Sequence, residues 1–230
     1  MRTIGLLGGM SWESTAEYYR IINQRTAERL GGLHSAKLVL YSVDFEEIAA
    51  CQKQGDWDKA GDILTGAAKS LEEAGADVVL ICTNTMHIIA DTVAASIGVS
   101  LLHIVDAVAQ SIAQSGMNRV GLLGTKFTME KDFYQDRLRT AGGIDTIVPD
   151  EHSRDELNRI IFEELCCGRV LDDSRHFLIG LIEQMAAQGA DGVVLACTEL
   201  PMLVQQSDTP VKVFDTTAIH AEAAVDYALA

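Results

Sequence analysis

The chain has 230 residues, long enough for one large or two small domains and for a core that needs no disulfide or metal staple. Hydrophobic residues make up 48% and charged residues 22%, an ordinary globular composition that excludes a disordered chain. Eighteen Lys and Arg against 33 Asp and Glu leave a net charge of −15, which repels phosphate backbones and anionic lipid, so neither nucleic acid nor membrane is an expected partner.

Short apolar strands alternate with longer helical patterns. Thr3–Leu7 reads as a buried strand, followed by Gly8-Gly9 and a helix over Trp12–Leu30. Leu38–Ser42 is a strand, Trp57–Ala74 a helix stopped by Gly75, and Val78–Ile81 a strand running into Cys82-Thr83-Asn84-Thr85. A short helix over Thr92–Ile97, a strand over Leu101–Val105 and a helix over Ala107–Ser115 follow. The pattern then starts again. Arg119–Leu123 is a strand, Met129–Thr140 a helix, Ile144–Val148 a strand, and Asp155–Cys167 and Asp173–Gln188 are helices. Val193–Ala196 leads into Cys197-Thr198-Glu199, and Val211–Phe214 and Ile219–Leu229 form the last strand and helix. Strands that are apolar throughout, each feeding a helix, predict parallel sheets covered on both faces.

The two halves align. Ile4-Gly5-Leu6-Leu7-Gly8 matches Val120-Gly121-Leu122-Leu123-Gly124, and Gly75-Ala76-Asp77 matches Gly189-Ala190-Asp191. Continued without a gap, the second match pairs Val79 with Val193, Cys82 with Ala196 and Thr83 with Cys197; Val105-Asp106-Ala107 also echoes Phe214-Asp215-Thr216. The expected fold is α/β, with two pseudosymmetric three-layer lobes of mainly parallel strands, residues 1–115 and 116–230, the last helix being free to cross over.

Five cysteines at irregular spacing make neither a disulfide framework nor a zinc pair. The N-terminus lacks the long apolar region of a signal peptide, and no stretch approaches a membrane span, so a reduced cytoplasmic protein is expected. Neither dinucleotide nor P-loop glycine spacing is present, and Gly8-Gly9 reads as a tight strand-to-helix turn.

In open parallel sheets ligands bind beyond the carboxyl ends of the strands. Four polar clusters occupy such positions: Gly9-Met10-Ser11, Thr83-Asn84-Thr85, Gly124-Thr125 and Cys197-Thr198-Glu199. Facing duplicated lobes would put Thr83 and Cys197 on opposite sides of one central ligand, the geometry for moving a proton from one face of a carbon to the other. Cys197 reads either as a buried core cysteine, the default for a lone Cys, or as a proton-transferring thiolate lowered toward neutral pH by helix N-termini. His87 and His220 are candidates to orient active groups or to serve as satisfied structural histidines. Asp44 and Asp106 read as caps or supporting acids, Lys126 and Arg119 as candidate cations with solvated surface the favoured reading for Arg119, and Cys166–Cys167 as packing.

The stretches IGLLGGMSWEST, CTNTMH at 82–87, LLGTKFTM at 122–129 and ACTELP at 196–201 resemble the aspartate/glutamate racemase family, in its amino-acid racemase branch, over essentially the whole chain. The resemblance implies two α/β lobes with the active site between them. It implies 1,1-proton transfer at an amino acid's α-carbon with no cofactor and no metal, by two cysteines, one per lobe. Cys197 stands in the second cysteine motif. The first motif of the family reads Cys-Asn-Thr, whereas here Asn84-Thr85 follow Thr83. Cys82 lies one residue early and, on an extended segment, faces the other way. Thr83 is therefore expected in the catalytic position. A threonine hydroxyl is a far weaker acid than a thiol, so Cys197 should abstract efficiently from one enantiomer, with Thr83 or a water it holds returning the proton.

The same resemblance implies that Met10, Ser11, Gln52, Asn84, Thr85, Thr125, Thr198 and Glu199 line the substrate. Where relatives place a positive residue for a side-chain carboxylate, this chain has Gln52 and Lys53. That leaves room for a neutral polar substrate such as homoserine beside aspartate and glutamate. Two further readings keep the fold: a small-diacid isomerase or decarboxylase, and a non-catalytic small-molecule binding module. The expected partner is a small amino acid, and a homodimer is left open.

Overall fold

The computed structural model describes residues 1–230. The first half runs β1 (Ile4–Gly8), α1 (Trp12–Leu30), β2 (Leu38–Ser42), α2 (Phe45–Gln54), α3 (Trp57–Glu73), β3 (Val78–Ile81), α4 (Ala90–Ala94), β4 (Ser100–Leu102) and α5 (Ile104–Gln114). The second runs β5 (Arg119–Gly124), α6 (Lys126–Glu130), α7 (Asp132–Gly142), β6 (Asp145–Ile147), α8 (Glu151–Arg159), α9 (Asp172–Ala187), β7 (Gly192–Ala196), β8 (Lys212–Asp215) and α10 (Thr216–Leu229). Two four-stranded, all-parallel sheets result, ordered β2-β1-β3-β4 and β6-β5-β7-β8. The identical order in the two sheets is the structural form of the internal repeat. No helix is long and apolar enough to cross a membrane.

Alternation along the central strands builds two cores in the first sheet. Leu7, Val79 and Ile81 pack with Leu64, Ala67, Ala68 and Leu71 of α3 on one face. Ile4, Leu6, Val78 and Leu80 pack on the other with Tyr18 and Ile22 of α1 and Ala221, Ala224 and Val225 of α10. In the second sheet Leu123, Val193 and Leu195 pack with Leu157 of α8 and Leu178 and Ile182 of α9. Sheets buried on both faces explain why these strands read as unbroken apolar runs.

The compact units are Met1–Ile104 with Thr217–Ala230, and Val105–Thr216. Compared with a cut near residue 115, the helix after β4 belongs with the second unit and the last helix with the first. Packing accounts for both exchanges. Arg137 of α7 makes a bidentate pair with Asp106 of α5 at 2.7 and 2.8 Å. One apolar face of α10 completes the core around Tyr18, and the Arg2 N–H donates to the Ala228 carbonyl at 2.9 Å.

Three elements depart from the sequence expectation. Helix α2 was not anticipated: FEEIAACQKQ has too few apolar residues for a clear stripe, but Asp44 caps its start and Gly55, left-handed at φ 71°, ends it. The helix expected over 129–140 is broken at Lys131, whose extended backbone separates α6 from α7. The helix expected over 155–167 loses α geometry at Ile160, continuing as a π turn over Ile160–Glu164 and a 3-10 turn over Leu165–Cys167. There the Glu164 carboxylate is buried, accepting from the Ser174 hydroxyl and, at 2.9 Å, from Arg159.

The turn after β1 tolerates no side chain at residue 9. Gly9 has φ 95°, and a Cβ there would lie 2.3 Å from the Val43 carbonyl oxygen. Gly9→Ala is expected to lower stability by about 3 kcal/mol or more, from left-handed strain plus a clash with backbone. At Gly75, φ 91° with open space around the missing Cβ, Ala should cost only about 1–2 kcal/mol. Urea midpoints of the two variants measure the difference; equal midpoints would contradict the steric account.

Candidate functional site

Within each unit the loops after the two central strands are neighbours. Leu7 of β1 lies opposite Ile81 of β3, and Gly124 of β5 opposite Ala196 of β7. After β1, the Gly9 N–H donates to the Thr15 hydroxyl at 2.9 Å, and that hydroxyl donates to the Ser11 carbonyl at 2.9 Å. The Ser11 hydroxyl accepts from the Ser14 N–H at 3.3 Å and lies 3.1 Å from the Ser14 hydroxyl. After β5, Thr125 does the same for α6, accepting from the Thr128 N–H at 3.4 Å with the two hydroxyls 3.1 Å apart. Ser11 and Thr125 are thus repeat-related caps at corresponding strand ends. Met10 is buried in the α3-side core of the first unit.

After β3, the Cys82 N–H still donates to the Leu7 carbonyl at 2.9 Å, continuing the ladder. The Cys82 side chain is 0% exposed among Leu6, Tyr18 and Ala221, and burial pushes its thiol far up. It is a core residue, on the sheet face covered by α1 and α10. Thr83 is half-buried, and Asn84 and Thr85 are buried as the chain enters a 3-10 turn over Thr85–Ile89. Gln52 of α2 is half-buried and donates to the Met86 sulfur at 3.1 Å.

After β7, Cys197 is 7% exposed and its thiol donates to the Glu199 carboxylate at 3.0 Å. The Thr198 hydroxyl donates to the same oxygen at 2.8 Å. Burial, followed by the charge and hydrogen bond of Glu199, raises the thiol well above its ordinary range. This reverses the expectation of a thiol lowered by a helix N-terminus. The following helix is only a three-residue 3-10 turn, Leu200–Met202, while a full negative charge sits against the sulfur. In this state Cys197 is a thiol with an adjacent proton acceptor. The proximity of Glu199 to the sulfur was not part of the sequence expectation, although a carboxylate two residues on from a thiol is a visible signal.

The other singled-out residues divide. Asp44 caps α2, accepting from the Glu46 N–H at 3.1 Å, and Asp106 is paired with Arg137. Lys126 is paired with Asp155 and lies 3.9 Å from Glu130. Arg119 is exposed, and its backbone N–H donates to Asp191 at 3.3 Å. Cys166 is half-buried against the core, but Cys167 is exposed rather than packed. No group of three or more His, Cys, Asp or Glu is arranged to hold a metal ion.

Three histidines of the first unit, His87, His103 and His220, cluster with Tyr18; no motif revealed His103 or Tyr18. The His87 ring lies 4.6 Å from that of His103 and 5.7 Å from that of His220. The Nδ1 of His220 is 2.8 Å from the Tyr18 hydroxyl, and its Nε2 is 2.9 Å from the Leu102 carbonyl. Because a carbonyl only accepts, Nε2 carries the proton and Nδ1 accepts from Tyr18. Burial lowers the His220 pKa to about 4, outweighing the Leu102 bond, which favours charge; the neighbouring His103 lowers it further. The unfolded chain therefore binds a proton here between about pH 6.5 and 4 that the folded chain refuses. Stability is expected to fall with acidification across that window, by about 1.4 kcal/mol per pH unit at most and about 3 kcal/mol in all. Urea denaturation of wild type and His220→Gln at intervals from pH 7 to 4 should give a shallower slope for the variant; parallel slopes would rule out His220 as the source.

Comparison with known proteins places this arrangement. The family model for Asp/Glu/Hydantoin racemases matches residues 7–224. A candidate Asp/Glu racemase from Yersinia pestis is 53% identical, with each chain fully covered and a TM-score of 0.94. An aspartate racemase homologue from Pyrococcus horikoshii OT3 is 38% identical, again with full coverage of both chains, at a TM-score of 0.89. The broad-specificity amino-acid racemase RacX of Bacillus subtilis is 24% identical over 99% of this chain and 98% of its own. Matched from β1 to α10, with the two-sheet fold of these structures, the chain belongs to the Asp/Glu/Hydantoin racemase family and is an isomerase of the amino-acid racemase type.

Proposed function

We propose that the enzyme interconverts the enantiomers of aspartate, glutamate or a similar polar amino acid without a cofactor, with Cys197 as the principal base and Thr83 as the partner that returns the proton. The observation that carries this reading is the Cys197 thiol at the end of β7, hydrogen-bonded at 3.0 Å to a buried carboxylate. Removing a proton from carbon needs a strong base at the moment of reaction, and a desolvated thiolate is one. The raised resting pKa keeps the thiol protonated until substrate arrives. The substrate's ammonium group would offset the Glu199 charge, and Glu199 would accept the proton that Cys197 releases.

The hydroxyls of Ser11, Thr85 and Thr125, the Asn84 side-chain amide and the Thr198 backbone N–H would supply donors for the α-carboxylate, whose negative charge grows as the α-proton leaves. Met10 and Gln52 would flank the side chain. Gln52 favours a second substrate reading, since an amide accepts a hydroxyl as readily as it donates to a carboxylate; homoserine is therefore a candidate beside the two acidic amino acids.

Incubating the protein with each proteinogenic amino acid and homoserine in D2O tests the proposal. Chiral chromatography reads inversion and NMR reads α-deuteration. Inversion of at least one polar amino acid is expected. Decarboxylation or binding without α-deuteration would replace the racemase reading with one of the other two.

A further inference from the structure

The 3-10 turn after Thr83 leaves a carbonyl that the backbone does not serve. The His87 N–H donates to the Asn84 carbonyl at 3.1 Å, three residues back, so it is not given to Thr83 as in an α-helix. Instead the His87 side chain takes the position: its Nδ1 lies 2.8 Å from the Thr83 carbonyl oxygen. Its other nitrogen, Nε2, lies 3.2 Å from the backbone N of Ile104, whose N–H donates to it.

A peptide N–H only donates and a carbonyl only accepts, so the imidazole has one arrangement that satisfies both. It is neutral, with its proton on Nδ1. The ring is 3% exposed and held on its edges by His103 and His220, the latter fixed by Tyr18 and Leu102. Thr83 therefore sits between two anchors. The amide of the preceding residue, Cys82, is tied to Leu7 in the sheet, and the carbonyl of Thr83 is tied to His87. With the peptide group of its carbonyl held by His87 and the preceding residue tied into the sheet, the backbone of Thr83, and with it the direction of its Cα–Cβ bond, is restrained from outside the residue.

We propose that His87 is a positioning residue for Thr83: as the neutral Nδ1–H tautomer, bridging the Ile104 N–H and the Thr83 carbonyl, it aims the Thr83 hydroxyl for proton return. This rests on the assignment of Thr83 under the proposed function. A hydroxyl that must act on one face of a carbon is sensitive to small displacement, and a shift near 1 Å can lower a rate about 100-fold. The effect should fall on the Thr83 half of the reaction alone.

The ratio of α-deuteration to inversion in D2O, from each pure enantiomer, separates this role from a general structural one. With His87→Leu in the full-length enzyme, Cys197 still removes its proton but Thr83 returns none to the opposite face. Starting from the enantiomer that Cys197 attacks, the ratio should rise at least about tenfold. From the other enantiomer, deuteration and inversion should fall together by about the same factor. His87→Asn, whose side-chain amide places a donor where Nδ1–H stood, should remain within about threefold of wild type. An active wild type whose ratio is unchanged in His87→Leu overturns this inference alone. A wild type that deuterates no amino acid overturns the proposed function from which it starts. Should His87→Leu fail to fold, nitrogen-15 NMR of the wild type decides: a neutral Nδ1–H tautomer of His87 at pH 7, together with the Asn result, supports the role, and an Nε2–H tautomer or imidazolium overturns it.

Discussion

Cys197→Ser is expected to lower inversion in both directions by about 100- to 10,000-fold, the range for removing a positioned proton-transfer group. On the proposed assignment, the variant would lack the base that starts the reaction in one direction and the acid that ends it in the other. The overall equilibrium between enantiomers cannot change, so kcat/KM must fall by the same factor both ways. Cys82→Ala is the informative companion. Cys82 is 0% exposed in the Tyr18 core, so removing its sulfur should cost about 1 kcal/mol of stability while inversion stays within about threefold. Polarimetry with each pure enantiomer reads the rates and urea denaturation the stability. If Cys82→Ala abolished inversion and Cys197→Ser did not, the catalytic assignment would be reversed.

Glu199→Gln is expected to move thiol acidity and turnover in opposite directions. The carboxylate raises the Cys197 pKa by its charge and by its hydrogen bond, second only to burial. Removing the charge should make the thiol easier to ionise, so site-resolved alkylation at pH 7 should speed up. A thiol that only needed to be acidic would then work faster. The amide, however, cannot take the proton from sulfur, and racemisation should slow by about 100-fold. Faster alkylation with faster racemisation would reduce Glu199 to a restraint on the thiol. Unchanged alkylation would mean the 3.0 Å contact is not energetically important.

The strands were legible because both sheets are covered on both faces, which leaves an unbroken apolar signature in each central strand. The repeat was legible because turns such as Gly75-Ala76-Asp77 and Gly189-Ala190-Asp191 occupy corresponding places before β3 and β7. Helix α2 was hidden because its identity lies in its caps, Asp44 and Gly55, rather than in an apolar stripe. The turn at Ile160 was hidden for the opposite reason. The apolar spacing continues through it, and the departure comes with a buried carboxylate, Glu164, bonded to Ser174 ten residues later.

At the candidate site, residue types and their order along the chain could be read, but their electrostatics could not. Cys197 looks like a thiol beside a helix start; only the folded geometry turns Glu199 toward the sulfur and raises its pKa. The contact of Tyr18 with His220 joins residues 202 positions apart, and no local pattern announces it. His87 was visible as a candidate, but its tautomer depends on Ile104, a residue without polar side-chain chemistry.

The assignment of α10 to the first unit has a consequence for how the protein is made. Val105–Thr216 is a continuous stretch and is fully translated before Thr217–Ala230, the segment that completes the first unit. Domains form as units during synthesis, ordinarily the N-terminal one first. Here the sheet face bearing Ile4, Leu6, Val78 and Leu80 lacks Ala221, Ala224 and Val225 until α10 has been translated. The half of the molecule that is begun first is the half that is finished last.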